Sequence, residues 1–346
     1  MSKQKILEVL KTGINAGPPP SFPQIDLAYA SQCAGKRVGE AFLDPAVHAY
    51  CLESALRRHS GAAGVYINLC LNAGSIASLD CSNPGHTYAV DLAGVRWSIP
   101  ENDVGSPCRY DIADLDDTRL LTVDALSGGI TETFAKISDA CRHQYLIVPG
   151  ITGPYSQVVF MFGLQNTLES IYDAPEKLHE ILAVRTRFAI NWAKKLKELG
   201  AECVWIGEGA ASSSLISPQH YAQFVMPYAK ALVDEIRALG MYSIMHVCGN
   251  INPSFAHVAE TGADAMDIDH MVSLAALCEG LPRRTCLKGN MDPVHLLTCT
   301  PEQVAGESRS IADSVKGKCG FILSTGCLIP RDADPACVDA MIGFAG

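Results

Sequence analysis

From about Tyr145 onward the chain repeats one pattern: a short apolar run, a turn containing Gly, Pro or Asn, then an amphipathic stretch of helical period. The apolar runs are YLIVPG, CVWIGEG, YSIMHVCGN, AMDIDH, TCLKGN and FILSTGCLIP. Helices are predicted between them, among others over 175–199 and 218–239. Strands alternating with helices imply a parallel sheet covered by helices, either closed as a barrel or open and doubly wound. No GxGxxG turn or phosphate-cradling loop occurs, which argues against a dinucleotide-binding sheet.

The first part of the chain is less regular. MSKQKILEVLKTG reads as an amphipathic helix, 17–20 as a Pro-rich turn and 22–27 as an extended stretch. A helix is predicted after Asp44-Pro45, with Val47, Leu52, Ala55 and Leu56 on one face; 64–71 reads as a strand and 87–97 as a hairpin. The expected organisation is one domain over 1–346, with 1–130 a lead-in carrying the first barrel elements and 131–346 the regular β/α units.

Composition narrows the classes. With 48% hydrophobic and 18% charged residues the 346-residue chain can bury a large core. A net charge of -10 leaves no basic surface for a phosphate backbone, so nucleic acid is not an expected partner. Fourteen cysteines are spread along the chain rather than clustered as in a disulfide scaffold, and no apolar secretory segment opens the sequence. The expectation is a cytoplasmic protein without membrane spans, compatible with a homodimer.

Polar residues gather at the C-terminal ends of the apolar runs: Thr152, Glu208, His246 and Cys248, Asp267 and Asp269, Asn290 and Asp292, and Cys327. In a (β/α)8 TIM barrel these ends share one mouth, where catalytic side chains converge, and the barrel is the expected fold. His246 and Cys248 are two apart on a predicted strand and so face the same way. Imidazole nitrogen and thiolate are both good zinc donors, and Cys327, at the end of the last run, is the natural third.

The order HVCGN, DAMDIDH, LKGNMDP and STGCLIP resembles that of the methylcobamide:coenzyme M methyltransferases within the uroporphyrinogen decarboxylase superfamily. The resemblance runs from about Asp44 to the C-terminus, includes ITGPYS and GEGAASSSLISPQHYAQFVMPY, and is loosest over 1–130. It implies that His246, Cys248 and Cys327 hold zinc. It further implies methyl transfer between a small substrate and the cobalt of a corrinoid protein. Glu208 falls where many relatives carry an acidic residue, and is a candidate fourth ligand or catalytic carboxylate. Asp269 is a second catalytic candidate, and Asp267 or Asp269 a partner orienting His246.

The resemblance alone does not fix the substrate. Decarboxylases of the superfamily bind a polycarboxylate with an Arg-rich N-terminal signature, whereas the corresponding stretch here, SFPQIDLAYASQCAG, has no Arg. Lys288 is the one cation within the strand-end motifs, while Tyr29, Tyr155, Met161, Phe162 and Asn290 are the expected substrate-lining residues. This points to a methoxylated aromatic as methyl donor. A coenzyme M-type thiol is the alternative; a decarboxylase-like lyase and a non-catalytic zinc module are weaker ones. No D-x-H-x-x-G cobalamin-ligating pattern occurs, so the corrinoid is expected to arrive on a partner protein.

Overall fold

The computed structural model describes residues 2–67, 76–83, 85–91, 94–110, 112–121, 128–282 and 284–344. Its strands, in chain order, are β1 (Gly64–Ile67), β2 (Ile76–Asn83), β3 (His86–Asp91), β4 (Arg96–Pro100), β5 (Ser106–Arg109), β6 (Leu146–Thr152), β7 (Cys203–Gly207), β8 (Tyr242–His246), β9 (Ala265–Asp267), β10 (Cys286–Met291) and β11 (Phe321–Thr325). Seven of them form a parallel sheet in the order β1-β6-β7-β8-β9-β10-β11, and β2 to β5 form a separate antiparallel sheet. The predicted strand over 64–71 is present as β1; residues 68–71 lie outside the described set.

Period-two patterning builds the parallel sheet. Cys203 and Trp205, Ile244, Ala265, Cys286 and Ile322 join Tyr66, Leu146, Val148 and Phe22 in one buried cluster, which helix Ser2–Thr12 enters with Ile6, Val9 and Leu10. The alternate residues Val204, Ile206, Met245, Met266, Leu287 and Leu323 join the larger cluster that includes the covering helices. A strand buried on both faces reads as a continuous apolar run, which is why these segments stand out in the sequence.

The sheet curls, and the expected barrel of eight regular β/α units is realised differently. Among the described residues the parallel sheet has seven strands. Between its two outer strands runs the extended stretch Pro20 to Ile25. Phe22 N donates to Leu323 O at 2.7 Å and Leu323 N to Pro20 O at 2.9 Å on the β11 side, while Tyr66 N donates to Ile25 O at 2.8 Å on the β1 side. Four prolines within 18–23, of which Pro20 and Pro23 lie in this stretch, deprive it of N–H groups a regular strand needs.

Helix Pro45–Arg58 starts as predicted, with Asp44 Oδ1 accepting from Ala46 N at 2.8 Å. The helix predicted over 218–239 is instead broken into Pro218–His220, a wide turn at Tyr221–Val225 and Met226–Ala238. Pro227 lacks an N–H and crowds the carbonyl four residues back, so the ladder widens just before it. No helix among the described residues is long and apolar enough to cross a membrane.

Candidate metal centre

The inward file of β8 carries Ile244 and then His246, and the next member, Cys248, follows just beyond the strand, which ends at His246 rather than spanning all of H-V-C. The chain turns away at Gly249, whose φ of 72° favours glycine and whose N donates to Asp269 Oδ2 at 2.8 Å. Cys327 lies two residues beyond β11. The three donor atoms of His246, Cys248 and Cys327 lie within 4.8 Å of one another, with His246 Nε2 3.1 Å from Cys248 Sγ.

Zinc bound tetrahedrally by nitrogen and sulfur holds its donors roughly 3.3–3.8 Å apart, so this set fits zinc with small adjustments. The second shell fits as well. His246 Nδ1 lies 3.1 Å from the backbone oxygen of Asp267, which leaves Nε2 to face the sulfurs. The three groups also share charge. A hydrogen bond from Cys248, with His246 alongside, holds the Cys327 thiol well below its ordinary range, and the same shared proton, together with burial, pushes Cys248 up. Burial opposes protonation of His246, but the bond to Cys327 and the charge of Asp267 outweigh it and raise the ring. The protons that hold these groups together are the ones a bound cation would displace, since it needs the ring neutral and both sulfurs as thiolates.

Beneath it lies a buried polar layer around Asp267, in which sequence reasoning missed Gln24 and Trp205. Asp267 Oδ1 takes an ion pair from Lys288 at 2.7 Å, and Oδ2 accepts from both Gln24 Nε2 and Trp205 Nε1 at 2.9 Å. Trp205 in turn stacks on the His246 ring, centroids 5.3 Å apart. Gly207 makes room, since a Cβ there would come within 2.4 Å of the indole. Lys288 is thus corrected from a rim cation to a fully buried one, committed to Asp267 and lying over the Tyr66 ring at 5.3 Å.

Glu208 stands apart from the three-donor group. Its carboxylate sits at the N-terminus of helix Pro154–Phe162, accepting from Tyr155 N at 3.2 Å and Ser156 N at 2.9 Å. Gly153 permits this, because a Cβ there would lie 2.2 Å from the carboxyl carbon. Helix amides favour the ionised form, yet complete burial dominates and pushes the Glu208 carboxyl up to about 7.

The other expected site residues divide. Tyr155 is buried beside Glu208, and Tyr221, which nothing in the sequence singles out, joins it there: both hydroxyls are buried without a hydrogen-bond partner and both feel the Glu208 charge. Asp269 uses one oxygen on Gly249 N and the other on Met271 N and His270, so it shapes the loop behind Cys248. Asn290 is tied to the Asp269 and Val272 carbonyls at 3.1 and 2.7 Å. Met161 receives a contact from Arg185 at 3.5 Å, and Phe162 packs in the core. Tyr29 is enclosed, its hydroxyl 2.7 Å from His59 Nε2.

A curled parallel sheet with an imidazole and two cysteine sulfurs converging at its C-terminal edge defines an α/β protein with a candidate metal site. Residues 89–345 match the family described as uroporphyrinogen decarboxylase (URO-D), and the chain belongs to that family. Similar proteins within reach include the methylcobamide:CoM methyltransferase MtbA of Methanosarcina mazei, 27% identical over 236 residues that cover 68% of each chain. The uroporphyrinogen decarboxylase of Chlorobaculum parvum is 30% identical over 183 residues, covering 52% of this chain and 51% of that protein. A solved methyltransferase from Methanosarcina mazei superposes with a TM-score of 0.80 over 99% of this chain and 98% of its own at 19% identity, a likeness of fold.

Proposed function

We propose that this chain is a zinc-dependent methyltransferase that moves a methyl group between a small substrate and the cobalt of a corrinoid held by a partner protein. The observation that carries the reading is the convergence of His246, Cys248 and Cys327 beyond the ends of β8 and β11. Zinc held by these three would keep a position open for substrate and act there as a Lewis acid. His246 is oriented for that task by the Asp267 carbonyl and the Trp205 ring. Glu208, poised to hold a proton near neutrality, either exchanges one with the substrate heteroatom or moves in as the fourth donor. Tyr155 and Tyr221 offer two unsatisfied hydroxyls beside it.

For the substrate, a neutral methylated molecule such as an aryl methyl ether is favoured by the commitment of Lys288 to Asp267, which withdraws that cation from any anionic group. A thiol of the coenzyme M type is the second reading, favoured by relatives named methylcobamide:CoM and methylated-thiol--coenzyme M methyltransferases. Decarboxylation of a polycarboxylate fits less well: the N-terminal stretch, which contains no Arg, contributes Gln24 to the buried layer. The deciding experiment is methyl transfer to Co(I) cobalamin, and from methylcobalamin, across a panel of aryl ethers, amines and thiols with the zinc-loaded protein. Ether demethylation supports the first reading and thiol methylation the second. Inactivity across the panel in both directions overturns methyl transfer.

A further inference from the structure

At the opposite end of the parallel sheet from His246 and Cys327, a cavity of about 840 Å³ opens between the 13–19 segment, the chain leading into β11 and the turn Cys278–Gly280. Its wall contains two half-buried cysteines, Cys278 on that turn and Cys319 two residues before β11. They lie far apart in sequence yet within reach of each other, and burial together with the Cys278 sulfur beside it pushes the Cys319 thiol up. A third cysteine nearby, Cys286, is fully enclosed at the start of β10. Two half-buried cysteines therefore line one cavity, and Lys316 and Lys318 against Asp313 leave its lining net positive.

We propose that Cys278 and Cys319 form a second thiol site, a paired dithiol that exchanges with an anionic small-molecule disulfide entering this cavity and closes to an intramolecular disulfide. Cys278 gives its proton to solvent and attacks as thiolate; a mixed disulfide forms and one thiolate of the reagent leaves. Cys319 then gives up its proton, attacks the Cys278 sulfur and expels the second thiolate. Two electrons pass from the protein pair to the reagent, and two protons end on the two released thiols. The sulfur contact makes the second step intramolecular and fast.

Oxidised glutathione added to the full-length, zinc-loaded protein, followed by peptide mapping, tests this. The exposed Cys108 serves as an internal gauge of reagent exposure. The expected product is a Cys278–Cys319 crosslink with no glutathione retained on either residue. Cys319→Ser should retain one glutathione on Cys278, and Cys278→Ser should react at Cys319 at least tenfold more slowly. A stable glutathione adduct on Cys278 or Cys319 of the wild-type chain without the crosslink overturns the proposal. So does a pair left fully reduced once Cys108 has been modified.

Discussion

At the scale of single residues, burial sets opposite tasks for the donors and for Glu208. The sulfurs of Cys248 and Cys327 are placed to trade one shared proton for a metal ion, so losing either should cost the metal rather than the fold. Cys248→Ala and Cys327→Ala are expected to lose most bound zinc by metal analysis while keeping a cooperative thermal transition. Stoichiometric zinc in the double variant would refute the ligand set. For Glu208→Gln, the turnover number should fall at least tenfold with little change in substrate affinity, because the carboxylate matters most as charge develops; equal turnover in steady-state assays would make it a wall residue.

A different kind of burial governs His48, enclosed on helix Pro45–Arg58 with Nε2 unpartnered and its ring pushed down to about 3 by desolvation. The unfolded chain takes up a proton there below about pH 6.5, and the folded chain does not until far lower. Stability from this group is therefore full above pH 6.5 and drains away as pH falls, by up to ~1.4 kcal/mol per unit. His48→Leu should lose about 2 kcal/mol less than wild type between pH 7.5 and 5.0 in urea unfolding. Identical slopes for the two proteins would contradict a buried neutral ring.

Elements assemble the site by lateral register. Gly207 pairs with His246, His246 with Asp267, and Asp267 with Lys288, one level crossing β7, β8, β9 and β10. His246, Asp267 and Lys288 recur at intervals of 21 residues in the sequence, a regularity that had a structural meaning but no obvious chemical one. Periodicity could place each residue at a strand end; which of them stood side by side required the register, and that is why Lys288 reads as a rim cation from sequence and is a buried counter-ion in the fold. Similarly, H-x-C correctly implied one inward file, while the end of β8 at His246 depended on the turn at Gly249 and its bond to Asp269. Lys288→Met strands the Asp267 carboxylate, and should cost about 3–5 kcal/mol in denaturant unfolding. Asp267→Asn added to it should recover part of that loss; no recovery would mean that Gln24 and Trp205 already neutralise the site.

For the whole molecule, the β/α alternation after Tyr145 was legible because doubly buried strands leave unbroken apolar runs. In the lead-in the single elements were legible, namely helix Ser2–Thr12, helix Pro45–Arg58, β1 and the β3–β4 hairpin, but their assembly was not, since the Pro-rich stretch announces no long-range partner in its own sequence. The donors lie beyond the C-terminal edge of the sheet, and no cobalamin-ligating motif occurs in the chain. The purified protein is accordingly expected to lack a corrin absorption spectrum and to transfer methyl groups when a reduced or methylated corrinoid protein is supplied, with free cobalamin a poorer substitute. Full demethylation with no corrinoid present would rule this out.

The stretch Pro20 to Ile25 joins the two outermost strands, and Gln24 N reaches Thr325 Oγ1 across 301 residues of chain. During synthesis that seam has to wait for β11, so the β11-facing side of the Pro20 to Ile25 stretch stays without its backbone partner long after its other side can meet β1. Loop-closure entropy on this scale makes the closing step slow, and the unpaired backbone edge of Pro20 to Ile25 is open to wrong pairing in the meantime. The nascent chain is therefore exposed to aggregation until β11 emerges, and holdase chaperones should matter more to its yield than to that of a protein whose sheet pairs only segments close in sequence.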